Sequence, residues 1–389
     1  MLRSLRLIGA GAISVSAVAL TVVSPSAAAA EVCAADDSAD SLNAVFDSAV
    51  DGFVGGDYQR VHHLDDGRSL WTFQDVYVAT GSGERELLHN AALIEENGCF
   101  ELLQGGTSAA PTPWVGGAET DEFETWFWPL DGYQASDDTF VLYLAEMHEH
   151  GDRYLTHTMP TATWTTTIDL TTMEPGPLEP APDPSGDLYG FEIVTDDEFV
   201  YLYAQCHRQF GFSELGLDEC GNDVTIARHP HGNDDAIEYF DGDGWDGDGD
   251  GAASVAPPLR SDEYEFSHPM QVEPLGNRWI SVTKVSDWWG DTIKLATAPA
   301  PEGPWVTTSI VPTATWGPSD EFSAYFTSIV DSDRANRTVT LATSNNRWDG
   351  SYSDAYRPTF DEVSTLLWWP RHAEQIRTDL WLPRGELIR

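Results

Sequence analysis

The sequence predicts an all-β protein, and three observations carry that prediction. A strand–turn–strand unit recurs five times along the 389 residues. Each copy is followed by a second, weaker set of strand candidates. Helical apolar spacing is confined to one short stretch, SLNAVFDSAV, residues 41–50. Alternating apolar and polar residues, punctuated by Asp, Asn and Gly, mark half-buried antiparallel strands. Four strands per unit and five units predict a five-bladed β-propeller, whose radial closure removes most exposed sheet edges.

The chain opens with Arg3 and Arg6 ahead of the apolar run LIGAGAISVSAVALTVV, followed by SPSAAAA. A basic start, an apolar stretch and a small-residue cleavage site predict a secretory signal peptide over residues 1–30. The run is too short and too rich in Ala, Ser and Gly for a membrane anchor. Residues 31–389 are then expected to form one secreted, extracellular domain.

The first repeat is GGDYQRVHHLDDGRSLWTFQDVYV, residues 55–78, followed by ELLHNAALIEE and CFELL. The second is TWFWPLDGYQASDDTFVLYLAEM from Thr125, followed by RYLTHTMPTATWTTTIDL. The third is LYGFEIVTDDEFVYLYAQC from Leu188, followed by DVTIARHP and AIEYFDGDGW. The fourth is SHPMQVEPLGNRWISVTKV from Ser267, followed by DTIKLATAPA and PWVTTSIV. The fifth is EFSAYFTSIVDSDRANRTVTLATSNN from Glu321, followed by YRPTFDEV and a Trp-rich tail. Between the second and third, MEPGPLEPAPDPSGD reads as an extended, Pro-rich connection rather than a domain boundary.

Acidic residues number 64 against 20 basic ones, and Lys284 and Lys294 are the only lysines. A surface this negative repels phosphate backbones and anionic lipids, which argues against nucleic-acid and membrane partners. A polysaccharide partner and a monomeric state are expected. Four cysteines in an exported chain suggest two disulfides, with three pairings open. Cys206 and Cys220 flank one loop, which would leave Cys33 to Cys99. No CxxC or HxxxH spacing supports zinc, and no metal is expected. Asp246, Asp248 and Asp250 have calcium-loop spacing, which leaves Ca²⁺ as the one candidate cofactor. The twelfth position after Asp246 is Pro257 rather than Glu, and Asp-Gly pairs are also plain turn formers.

The first repeat carries an acid near each open end, although carboxylates are poor strand formers. If Asp65, Asp66 and Gly67 form a three-residue loop, Asp57 and Asp75 become cross-strand partners on one face. A two-residue loop puts them on opposite faces. Taken singly, Asp57 reads as a turn residue after Gly55-Gly56 and Asp75 as a polar strand end. As a pair at the mouth of an axial pocket, they repel when both are ionised, which separates their pKa values. Separated carboxylates are what general acid/base work at a glycosidic bond requires. Glu192 opens the third repeat inside apolar YGFEIV. It is costly there if buried unpartnered, and otherwise faces outward from its strand. In a propeller it takes the blade position of Asp57 and becomes a candidate proton donor. Asn90, Trp128, Asp131, His268 and Tyr325 are the candidate substrate-binding residues. Most of the fifteen tryptophans read as packing core.

The Gly55-Gly56-Asp57 opening, the LDDGRSLWTFQD hairpin and His89-Asn90 together resemble the first blade of secreted bacterial five-bladed propellers. That group has a Gly-x-Asp opening, an LPDGR-LW-FGD hairpin and a following Asn. It includes the domain of unknown function 4185, assigned in part as endo-D-arabinanases similar to glycoside hydrolase family 183. The resemblance implies a secreted glycoside hydrolase that cuts a furanose-rich wall polysaccharide, with Asp57 and Asp75 catalytic. Asp57 is then the base or nucleophile, and Asp75 the acid or pKa modulator. More distant five-bladed furanosidases imply Glu192 as the acid. Gln74 stands where the group often has Gly, and Tyr58 follows the first acid. The competing readings are a non-catalytic, lectin-like glycan binder and a structural propeller.

Overall fold

The computed structural model describes residues 33–36, 38–47, 50–116, 125–149, 158–183, 188–205, 224–249, 252–255, 270–285, 291–313, 322–333, 338–347 and 356–364. All belong to one compact unit, Glu31–Arg389. His268, Cys206, Cys220 and Asp250 lie outside the described residues.

The five repeats become five antiparallel sheets in chain order. The first runs Arg60–His63, Ser69–Phe73, Ala91–Glu96, Cys99–Leu103. The second runs Thr125–Ser136, Thr139–Glu149, Thr158–Asp169. The third runs Glu192–Thr195, Phe199–Gln205, Val224–Pro230, Glu238–Phe240, Trp245–Asp246. The fourth runs Gln271–Leu275, Arg278–Val285, Thr292–Ala298, Val306–Pro312. The fifth runs Phe322–Asp333, Thr338–Arg347, Thr359–Ser364. Each opening strand touches the opening strand of the next sheet, and the fifth touches the first.

Hydrophobic clusters fill the gaps between consecutive sheets, because strand residues alternate between the two faces. Leu70, Ala92 and Ile94 of the first sheet meet Phe140, Leu142 and Leu144 of the second. Tyr143 and Ala145 meet Ile193, Val200 and Leu202 of the third. Tyr203 and Ile226 meet Val272 and Ala296 of the fourth. Ile280 and Leu295 meet Ile329 and Leu341 of the fifth. Trp71 and Phe73 of the first sheet share a cluster with Val330, Ala342 and Phe360 of the fifth. Thus the last sheet packs on the first, in line with the cycle of opening strands.

The one described helix, Ala39–Phe46, starts at Ser38, whose hydroxyl accepts from the Ser41 amide. It places Phe46 against Trp71, Phe100 and Phe360. A disulfide joins Cys33 to Cys99, tying the segment before the helix to the outer strand of the first sheet. No helix among the described residues is long and apolar enough to cross a membrane.

Two elements depart from the sequence reading. The ELLH segment does not join the first sheet. Arg85–Leu88 pairs with Val76–Ala79, which pairs with Phe53–Gly56, in a separate three-stranded sheet. The Pro-rich run is not only a connection. Glu174–Pro175 and Glu179–Pro180 both pair along Thr158–Asp169, where an edge position tolerates proline. In the Asp-Gly run, Asp241 Oδ1 accepts from the Asp243 and Gly244 amides, and Asp246 Oδ1 accepts from the Asp248 amide. These carboxylates close their own turns. Among the described residues, no group of three or more His, Cys, Asp or Glu side chains is placed to hold a metal ion.

Candidate active site

The hairpin of the first sheet turns through Asp65-Asp66-Gly67, with Gly67 at φ +88°. The Gly67 amide donates to the Leu64 carbonyl, and the Leu64 amide to the Arg68 carbonyl. This three-residue loop fixes the register at His63↔Ser69 through Arg60↔Thr72. The same register carries Asp57 opposite Asp75. The Asp57 amide donates to the Asp75 carbonyl at 3.2 Å, and the Gln74 amide to the Asp57 carbonyl at 3.0 Å. The Asp75 amide in turn donates to Asp57 Oδ1 at 3.2 Å.

The two acids sit where the strand ladder is interrupted. Tyr58 has φ +48°, a left-handed conformation that costs a side chain of this size and breaks the strand before Arg60. Contacts from the fifth sheet hold it. Its ring stacks on Phe326 at 4.7 Å, and its amide donates to Ser344 Oγ. Gly55 serves the same site. A Cβ there would overlap the Tyr356 carbonyl oxygen, so glycine lets the 356 segment come close. That approach brings the Tyr356 hydroxyl onto the Asp57 carboxyl. Tyr325, fully buried, donates its hydroxyl to Asp57 Oδ2 at 2.7 Å.

Asp57 is 7% exposed. Burial, reinforced by the Asp75 charge, pushes its carboxyl up to about 7, against the opposing hydrogen bonds from Tyr356, Tyr325 and the Asp75 amide. Asp75 is the more open of the pair, with a quarter of its side chain exposed. Its Oδ1 accepts from His89 Nδ1 at 2.8 Å and from Trp128 Nε1 at 3.0 Å. His89 stacks on Trp126 at 4.5 Å, and Trp126 meets Trp128 edge-on at 6.1 Å. An aromatic wall from the second sheet therefore stands beside the partly exposed Asp75 carboxylate.

Glu192 and Asp131 lie elsewhere. They line a cavity of about 390 Å³ together with Arg60, His62, Gln271 and Glu273, and neither Asp57 nor Asp75 lines it. Glu192 is the first residue of its sheet's opening strand, as Arg60 is of the first sheet's, whereas Asp57 precedes that strand. The Asp131 carboxyl receives the Ile193 amide at 2.6 Å, and Glu192 Oε1 receives the Val272 amide at 2.6 Å. Each acid thus docks its own opening strand on the next sheet's. Burial pushes Asp131 up to about 6 against the pull of Arg60. Burial and the Asp131 charge raise Glu192 well above the usual carboxylate range, and burial pushes Glu273 up to about 8. Burial lowers His62 to about 3, so its 3.3 Å approach to Asp131 is not an ion pair, and its Nε2 instead meets the Thr72 hydroxyl.

Asn90 is fully buried. Its amide donates to the Val115 and Phe127 carbonyls, and its oxygen accepts from the Val115 amide. Gln74 turns away from the acids and donates to the Pro129 carbonyl. The structure thus brings Asp57, Asp75, Trp128 and Tyr325 together and leaves Glu192 and Asp131 in a separate cavity. Tyr356, Arg60 and Glu273 were not singled out from sequence. Tyr356 opens the YRPTFDEV segment after the fifth repeat, but it lies about 300 residues from Asp57, and nothing local to either residue marks their contact. Arg60 stands three residues after Asp57 in the first strand and was legible only as an ordinary strand residue.

No curated protein sequence matches the chain. Among solved structures, a Bacteroides ovatus protein described provisionally as a hydrolase aligns with TM-score 0.64 at 16% identity, covering 88% of this chain and 91% of its own. A GH43_1 enzyme from Xanthomonas citri aligns with TM-score 0.46 at 15% identity, over 81% of this chain and 88% of its own. An α-L-arabinanase variant from Cellvibrio cellulosa aligns with TM-score 0.44 at 12% identity, over 80% of this chain and 92% of its own. The profile of a domain of unknown function, DUF5005, matches residues 40–366, and the chain belongs to that family.

Proposed function

We propose that the five sheets are the blades of a five-bladed β-propeller, and that the protein is a secreted glycoside hydrolase with Asp57 and Asp75 as its paired carboxylates. The observation that supports this reading most is the inequality of the two acids. One is buried, with its carboxyl pushed up to about 7; the other is a quarter exposed and held by two donors. Environments that separate two neighbouring carboxyls assign acid and base roles. The geometry favours Asp57 as the proton donor and Asp75 as the base or nucleophile, the reverse of the order the resemblance implies. In this scheme Asp57 protonates the glycosidic oxygen as the C–O bond breaks. Asp75, or a water it deprotonates, bonds to the anomeric carbon.

Trp128 and the Trp126–His89 stack supply an aromatic wall on which the C–H face of a sugar can lie. A furanose-rich polysaccharide, such as the D-arabinan of bacterial cell walls, is the substrate class proposed from the first-repeat resemblance. The Cys33–Cys99 disulfide supports an oxidising, extracellular setting.

The test is to incubate the protein with D-arabinan, L-arabinan and other wall glycans and to follow new reducing ends. The expected result is cleavage of a furanose polymer, lost in both Asp57→Asn and Asp75→Asn. Saturable binding without products, unchanged in both variants, would replace the hydrolase with a lectin-like glycan binder.

A further inference from the structure

The cavity beside Glu192 asks for an occupant. It runs along the opening strands from Arg60 toward the turns that end them, and none of Asp57, Asp75, His89, Trp128 or Tyr325 lines it. Arg60, Glu192 and Gln271 are 2%, 5% and 4% exposed. Each carries buried polar atoms with no hydrogen-bond partner among the described residues: Arg60 Nε and Nη1, Glu192 Oε2 and Gln271 Nε2. Buried polar atoms are nearly always partnered, by protein, water or ligand. A polar enclosure of this size falls at the lower end of ordinary ligand pockets, roughly 300–1,000 Å³.

The unpartnered atoms are mixed in kind. Arg60 and Gln271 offer donors, and Glu192 offers a carboxyl oxygen. A bare anion would meet the donors but would face the Asp131 carboxylate and the acceptor oxygens of Glu192 and Glu273. A bare cation would meet the acids but would lie against the Arg60 guanidinium, which is already set between Phe191 at 4.7 Å and Phe326 at 5.0 Å. A hydroxyl both donates and accepts, so a ligand dense in hydroxyls satisfies both kinds of atom without adding charge. We propose that this cavity is a second binding site, distinct from the paired aspartates, for a neutral polyol or monosaccharide. The site stands independently of the hydrolase reading.

The test titrates the full chain calorimetrically with xylitol, methyl α-D-arabinofuranoside and methyl α-L-arabinofuranoside, and soaks the same probes into crystals. Wild type and the Asp57→Asn/Asp75→Asn double variant are expected to bind one probe saturably, with density in the cavity. Gln271→Leu removes one hydrogen-bonding group and is expected to weaken binding about 3- to 10-fold. Thr195→Phe, at an exposed residue of the cavity lining, is expected to abolish binding without touching the buried groups. The site is overturned by no saturable binding of any probe, by only water in the soaked cavity, or by binding lost in the double variant yet kept in Thr195→Phe. Occupation by calcium or sulfate in preference to the polyols also overturns it. Binding in a protein that cleaves no glycan leaves the site standing while the hydrolase reading falls.

Discussion

Tyr325 donates its hydroxyl to Asp57 Oδ2 at 2.7 Å, so an aromatic residue of the last sheet holds the acid that precedes the first sheet's opening strand. The bond crosses the joint where the cycle of sheets closes. It also favours the ionised form of Asp57, opposing the effect of burial. Tyr325→Phe removes that support, so the Asp57 pKa rises above its value of about 7. With Asp57 as the proton donor, the alkaline limb of the kcat/KM profile moves to higher pH by on the order of one unit. An unmoved limb would separate Asp57 from the proton transfer.

The division of labour between the two acids is tested by leaving group. Asp57→Asn should lose about 10²- to 10⁴-fold on polysaccharide, where the departing oxygen needs a proton. On a p-nitrophenyl furanoside, whose leaving group departs as a stable anion, the same variant should recover most of that loss. Asp75→Asn should remain inactive on both substrates. Equal losses for the two variants on the aryl substrate would return Asp57 to the base role.

Stability should carry the opposite signature. The folded-state pKa of Asp57 lies near 7, above the ordinary 3.8. Between those values the folded protein holds a proton that the unfolded chain has released. Stability is therefore lost as pH rises through that window and changes no further, on this account, above about 7. Asp57→Asn cannot ionise, so its stability relative to wild type should improve steadily from pH 4 to pH 7. The gain at pH 8 should be on the order of 2–4 kcal/mol, read from denaturant midpoints. A difference that is flat with pH would contradict a buried, proton-holding Asp57.

Local chemistry was legible in the sequence, and long-range docking was not. The Asp65-Asp66-Gly67 turn names its own loop length, because only glycine readily takes the left-handed position there. Loop length then sets the register that faces Asp57 with Asp75. All five opening hairpins were readable in the same way, from alternation ended by turn residues. The surroundings of Glu192 were not legible, because an alternation pattern shows which face a residue takes but not its height along the strand. Its height is set by the Glu192–Val272 and Asp131–Ile193 bonds between sheets. The Arg85–Leu88 strand was misassigned for a related reason. The Tyr58 break splits one long hairpin into two sheets, and nothing local marks a tyrosine as left-handed.

Asn90 offers a direct contrast between a binding role and a packing role. Its side chain makes three hydrogen bonds to the backbone at Val115 and Phe127, joining the first sheet to the segment that enters the second. Asn90→Ala leaves those groups unpaired in a buried setting and should cost about 2–4 kcal/mol, at roughly 1 kcal/mol or more for each. Where the variant remains folded, KM for the glycan should stay within about twofold of wild type, since uniform binding energy is what a KM change would report. A large rise in KM with an unchanged melting temperature would make Asn90 a substrate ligand instead.

Gly55 and Tyr356 should behave as one device with two separable effects. A methyl group at Gly55 overlaps the Tyr356 carbonyl oxygen, a backbone atom that cannot swing aside. Gly55→Ala must therefore displace the 356 segment, at about 1–3 kcal/mol for an overpacked buried contact. The displacement also withdraws the Tyr356 hydroxyl from Asp57, whose pKa then rises. Tyr356→Phe removes only the hydroxyl. It should reproduce the upward shift of the alkaline limb with a much smaller fall in melting temperature. If Gly55→Ala destabilises the protein but leaves the pH profile unmoved, the close approach serves packing alone, and Tyr356 has no part in tuning the acid.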